Sequence, residues 1–197
     1  TTLLNFCSND LSAFYFDIRK DVIYCDGKNS LERRSARTLL DIIFNYLVRW
    51  LAPSLSFTTE EAWKARDNKS SIHLEDFLTT TESYKNSKIN DTWTILKHIR
   101  KVITGALEKK RAEKIIGSSL ESHIDIFLEK SILEKVWNYQ LDEISITSSF
   151  ALHELNSNSE GFSIEEVSNV KVLVSKTNGK KCQRCWKYKQ ELIRDEL

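Results

Sequence analysis

Methionine is absent from all 197 residues, proline occurs once and glycine five times. Because position 1 is Thr1, a translation start is expected elsewhere, in a larger polypeptide of which this chain is a piece. With Pro53 and so few glycines, a many-stranded sheet is disfavoured before about residue 145, and long helices are expected there. No apolar run approaches the roughly 18 residues of a membrane span, and the opening TTLLNFCSND has no basic segment leading into an apolar one. Neither a span nor a targeting signal is read. Also missing are a glycine-rich phosphate loop, a nucleophile elbow and any clustered His and carboxylate constellation, so no active site is visible.

What is present is an ordinary globular balance, 41% apolar and 29% charged, which excludes a disordered or membrane class. The four cysteines do not form a secreted disulfide framework; a reducing, cytoplasmic setting is expected. The net charge of +1 conceals a local excess. Residues 171–190 hold Lys171, Lys176, Lys180, Lys181, Arg184, Lys187 and Lys189 with no Asp or Glu, which points to an anionic partner at that end.

Along the chain, residues 11–20 read as a short helix. Ser30 is placed to cap a second one running to about Ala52, where Pro53 stops it. From Leu39 to Leu51 that helix is apolar nearly all round and is expected to be buried. Its polar stripe of Arg34, Arg37, Asp41 and Asn45 is either an RNA-facing edge or a solvated face with an Arg37 to Asp41 pair. Thr58 and Glu61 have capping-box spacing for a short helix to about Arg66, and residues 67–90 read as a surface connection. A long helix is expected from near Asn90, with Leu96, Ile99, Val102, Ile103 and Ala106 on one arc and Gly117 as its left-handed end. SSLESHIDIF reads as a short strand or turn; residues 128–141 read as helix, with Ile132, Leu133, Val136 and Trp137 inward.

Beyond about 142 the pattern becomes β-like. ISITSSF and VKVLVSK alternate with period two, and Asn178-Gly179 signals a hairpin whose returning arm is residues 180–186. The expected fold is mainly α, a helical domain over 1–142 followed by a small β-containing module over 143–197 that carries a CxxC hairpin. Cys182 and Cys185 can each ligate one tetrahedral Zn²⁺, which makes them half of a closed site. A thioredoxin-like redox pair is disfavoured, since no helix begins at the first Cys; a pair with no role is the third reading. Cys7, Cys25, His98, His123 and His153 lack ligand spacing and read as structural residues. Trp186 and Tyr188, interleaved with Lys187 and Lys189, suit unpaired RNA, with rings stacking on bases and ammonium groups holding phosphates. Trp186 covering the metal knuckle is the competing reading.

DLSAFYFDIRKDVIYCD, ARTLLDIIFNYLVRWLAPSLSFTTEEAW, ALEKKRAEKIIGSSLES and GKKCQRCWKY, in this order, resemble the carboxy-terminal part of bacterial isoleucyl-tRNA synthetases. The resemblance covers essentially the whole chain, and CQRCWKY distinguishes isoleucine from the related class I enzymes for valine, leucine and methionine. It implies the anticodon-binding helical bundle and part of a zinc-bearing extension, with the second CxxC pair lying beyond Leu197. It further implies a parent that activates isoleucine with ATP and Mg²⁺ and charges tRNA(Ile), whereas these residues lack that family's ATP-binding signatures and editing domain. No catalysis is expected of them alone. On this reading Lys180, Lys181, Arg184, Lys187 and Lys189 hold phosphates and Trp186 stacks on or supports an anticodon base, with Lys97, Lys101 and Arg111 as further contacts on the bundle. Zinc is expected in the parent and weak or absent binding here, and the piece is expected to be monomeric. The alternative is a helical interaction module with a CxxC staple, whose mark would be an exposed apolar stripe not evident in the sequence.

Overall fold

Helices occupy the chain up to residue 112 and every strand follows them. The computed structural model describes residues 1–66 and 69–190. Helix α1 (Thr2–Asn5) leads into a wider π-helical stretch, Phe6–Phe16, and then α2 (Asp17–Cys25). Next come α3 (Leu31–Leu51), α4 (Ser56–Lys64) and α5 (Ser87–Ala112). The rest is β1 (Ser122–Leu128), α6 (Lys130–Val136), α7 (Leu141–Ser145), β2 (Ser149–Glu154), β3 (Phe162–Ile164), β4 (Val167–Lys176) and a pair of two-residue strands, β5 (Lys180–Lys181) and β6 (Tyr188–Lys189). Two compact units result: Thr1–Arg19 with Asn86–Leu197, and Lys20–Lys85. This differs from a boundary at 142/143, and the reason is packing: α5 buries its apolar arc against the sheet, so helix and strands share one core.

In the first unit Asn86 caps α5, its Oδ1 accepting from the Ile89 amide at 3.1 Å, so the helix starts three residues before the expected Asn90. Leu96, Ile99, Val102, Ile103 and Ala106 are all buried. They meet Ile124, Ile126 and Leu128 of β1 and the valines of β4. Each such aliphatic side chain contributes about 1.5–3 kcal/mol on leaving water. The helix ends earlier than Gly117. Lys114 takes the left-handed conformation (φ 57°), and the Ile115 amide donates back to the Lys110 carbonyl at 3.1 Å in a Schellman turn. The segment Thr1–Arg19 joins this core through Phe14, edge-on to Trp93 with 5.9 Å between centroids, and through Arg19, which donates to Glu143 at 3.1 Å.

The sheet has order β2-β1-β4-β3. β1 pairs in parallel with β2, with α6 and α7 in the crossover, and antiparallel with β4. ISITSSF is only partly strand, because Ile144 and Ser145 finish α7 and Ile146 turns through φ 57° before β2 starts. Trp137, expected inward, is 64% exposed, since α6 ends at Val136 and the ring falls beyond the buried face.

In the second unit the Ser30 hydroxyl accepts from the Arg33 amide at 3.1 Å, as a cap should. Val48, Ala52, Trp63 and Ile72 form its small core with Phe44 against them. The capping box at Thr58 does not form. The turn after α3 continues directly into α4 through Leu55 N–H to Leu51 O (2.8 Å) and Thr59 N–H to Leu55 O (2.9 Å), which leaves Thr58 inside the helix. Glu61's neighbour Glu60 has the bonding role instead, accepting from Ser71 Oγ and the Ile72 amide, both at 2.9 Å. The Lys64 ammonium, together with these donors, holds the Glu60 carboxyl down at about 2. Of the connection expected at 67–90, residues 67 and 68 lie outside the described ones. The remainder is pinned by buried Ile72 and by the Arg49 to Glu75 ion pair at 2.8 Å. Asp41 pairs with Arg66 rather than Arg37.

Candidate nucleic-acid interface

Asn178 and Gly179 make the turn expected of them, but its product differs from a β4 hairpin. Lys180 and Lys181 pair with Lys189 and Tyr188, and the CxxC turn forms the tip of this separate ribbon. Gly179 adopts φ 154°, and a Cβ there would stand 2.7 Å from the Lys189 carbonyl oxygen, so only glycine lets the two arms meet. At the tip the Cys182 amide donates to Lys187 O and the Trp186 amide to Cys182 O, both at 2.9 Å. This closed turn drives Trp186 into the left-handed region (φ 63°), unusual for a bulky side chain, and leaves its ring 59% exposed.

The two thiols stand at one side of that turn and are electrostatically unequal. Backbone N–H groups of Cys185 and then Arg184 point at the Cys182 sulfur and hold its thiol below the ordinary range; burial pushes the Cys185 thiol up. Amides directed at a sulfur, with a second sulfur three residues on, suit a metal knuckle and supply two positions of a tetrahedron. Among the described residues no group of three or more His, Cys, Asp or Glu side chains comes together as a metal site. Cys7 and Cys25 are half-buried. His123 and His153 are engaged on the sheet, with Ser149 Oγ at 2.7 Å and Asp125 Oδ1 at 2.7 Å respectively.

The cations fall into two groups. Lys180 and Lys189 stand directly opposite one another across the ribbon, and the side chain of neither makes an ion pair or hydrogen bond among the described residues. Opposed like charges destabilise a ribbon unless an anion is near. Lys181 lies over the Trp186 ring, its Nζ 5.2 Å from the centroid. Lys187 is different. It donates to Asp142 Oδ2 at 2.8 Å with both side chains only 17% exposed, and with Tyr188 N–H to Ser148 Oγ at 2.7 Å it fastens the ribbon to the first turn of α7 and to the link between α7 and β2. Sequence reading missed this anchor, because Asp142 lies 45 residues away and nothing local marks it as a partner. The bundle cations are paired as well: Lys97 with Asp10 at 3.9 Å, Lys101 with Glu166, and Arg111 with Glu108. Arg184 contributes its backbone amide to the thiol turn.

The geometry is that of a small cationic ribbon with an open aromatic ring. A family model for the anticodon-binding domain of tRNA ligase matches residues 1–127. The chain belongs to that family. Isoleucine–tRNA ligase of Pelagibacter ubique is 46% identical over 186 residues, 94% of this chain and 19% of the relative. The enzyme of Rhodopseudomonas palustris is 41% identical over 192 residues, 94% of this chain and 19% of the relative. That of Bartonella quintana is 42% identical over 195 residues, 98% of this chain and 20% of the relative. The chain therefore spans about a fifth of the length of the curated relatives it matches. The anticodon-binding match takes in all of the second compact unit and part of the first, stopping inside β1, so the ribbon lies outside it and within the stretch shared with the ligases.

Among the described residues no helix of this anticodon-binding chain is long and apolar enough to cross a membrane. One feature of the interaction-module reading is present. Leu31, Leu39, Tyr46 and Trp50 fall on one face of α3, and Leu31, Leu39 and Trp50 are exposed, so that helix is not buried all round as expected.

Proposed function

We propose that the chain is the tRNA-binding portion of an isoleucine–tRNA ligase whose whole length activates isoleucine with ATP and charges tRNA(Ile). The observation that supports a direct RNA contact is the ribbon: Lys180 and Lys189 without carboxylates, beside the exposed Trp186 ring. In this reading the two lysines and Lys181 meet phosphates, Trp186 stacks on an unpaired base, and Lys187 positions the ribbon. We place the ligands that complete a zinc site with Cys182 and Cys185 in the parent, outside these residues. The metal would hold the tip rigid.

The test is binding of an unmodified tRNA(Ile) transcript as a function of salt. Lys180→Ala and Lys189→Ala should each lower the slope of log K against log salt by about 0.7–0.9, and Trp186→Ala should weaken binding by about 1–3 kcal/mol without changing it. If tRNA(Ile) binds no better than an unrelated polyanion at ~0.15 M salt, the proposal fails. The exposed face of α3 favours a second reading alongside it, burial against another part of a longer polypeptide; Leu39→Glu with Trp50→Glu should then leave tRNA affinity alone.

A further inference from the structure

Strand β4 outruns its neighbour. β3 pairs with it only at Phe162 with Val172 and Ile164 with Val167, so from Leu173 to Lys176 β4 has β1 on one side and, among the described residues, no strand on the other. The Thr177 amide donates to Glu121 O at 2.8 Å in continuation of the β1 register. Alternation along an antiparallel ladder then turns Ser175 and Leu173 toward β1 and directs the N–H and C=O of Val174 and Lys176 to the open side. Gly161 keeps that side open. Its φ of 153° turns the preceding chain away where it would otherwise pair with Leu173, and a Cβ there would lie 3.0 Å from the Val172 backbone.

Alongside the open edge is a cavity of about 170 Å³, floored by Ala106, Phe162 and Val172 and rimmed by Lys109, Lys110 and Glu113 of α5. Lys110 is spent on Glu113 at 2.8 Å. Lys109 and Lys176 make no ion pair among the described residues, and Lys176 lies on the Val174 face of its strand, toward α5. A row of backbone donors and acceptors, an apolar slot and surplus positive charge therefore meet at one place.

We propose that this edge docks an extended polypeptide segment, which adds to β4 as a fifth strand, sets one branched apolar side chain in the slot and places carboxylates beside Lys109 and Lys176. A second copy of the chain fits poorly, because two such edges would bring Lys109 and Lys176 of each against those of the other. RNA fits poorly too. The edge offers as many carbonyls as amides, and a phosphodiester can satisfy only the amides.

The experiment uses the full chain and a fluorescein-labelled, end-blocked peptide, Asp-Val-Glu-Leu-Glu-Val-Asp, read by anisotropy and by amide exchange at Val174 and Lys176. Binding should slow exchange of both amides at least tenfold. Lys109→Glu with Lys176→Glu, both exposed and checked for unchanged circular dichroism, should weaken it at least tenfold at ~0.15 M salt and confer binding of the same peptide with lysines for its acids. Methylating alternate peptide nitrogens should abolish it. The proposal is overturned by no binding at millimolar peptide, by indifference to N-methylation or charge reversal, by self-association that protects Val174 without peptide, or by an oligoribonucleotide protecting the same amides.

Discussion

Lys187→Ala should cost stability at the ribbon and leave the salt dependence of RNA binding unchanged, the opposite of Lys180→Ala. At 2.8 Å and an effective dielectric of ~20 the Lys187 to Asp142 attraction is about 6 kcal/mol gross, most of which offsets the desolvation of two side chains that are each 17% exposed. Removing only the ammonium leaves Asp142 buried and charged, with its Oδ1 already without a hydrogen-bond partner among the described residues. Cutting one partner from a fully buried pair costs 3–5 kcal/mol, so about 2–4 is expected here. The reporters are the Cys182 amide, donated to Lys187 O, and the Tyr188 amide, donated to Ser148 Oγ. Their exchange should accelerate by about 30- to 1,000-fold, and Asp142→Ala with Lys187→Ala together should cost less than the sum of the singles. A change below threefold, or a salt slope lowered by about one with exchange unaltered, would refute the anchor and make Lys187 a phosphate contact.

Lys114→Gly should stabilise the first unit by about 0.5–1 kcal/mol in urea unfolding, since glycine holds the left-handed end of α5 without strain. Gly179→Ala should do the reverse at the ribbon, speeding exchange of the Tyr188 amide as the new Cβ meets Lys189 O at 2.7 Å. Glu60 gives a pH signature. Its carboxyl sits at about 2 against an ordinary 4.5, so its contribution is full above about pH 4.5 and is lost as pH falls toward 2. Chemical unfolding of the Lys20–Lys85 unit should show that loss, and Glu60→Gln should flatten it.

What could be read from sequence was whatever neighbouring residues decide among themselves. The arc of α5, the alternation of β4 and the Ser30 cap are all local patterns, and each is in place. The misreadings are where one element runs on into the next or stops short of where its pattern would carry it. Thr58 looked like a cap until the turn from α3 ran on through Leu55, and Trp137 looked inward until α6 stopped at Val136. At the site, the two cysteines and the lysines were legible as types, while the sorting of those lysines into paired and unpaired required Asp142, Asp10 and Glu166 to be brought beside them.

The first compact unit is written in two stretches, with all of Lys20–Lys85 between them. During synthesis Phe14 must therefore wait for Trp93, and Arg19 for Glu143, while the intervening span emerges over a time on the order of seconds. The second unit, uninterrupted, can close around Trp63 and Ile72 as soon as it clears the ribosome. The Phe14 to Trp93 contact is therefore among the last of that unit to form, after the span that separates its two halves has already had time to fold.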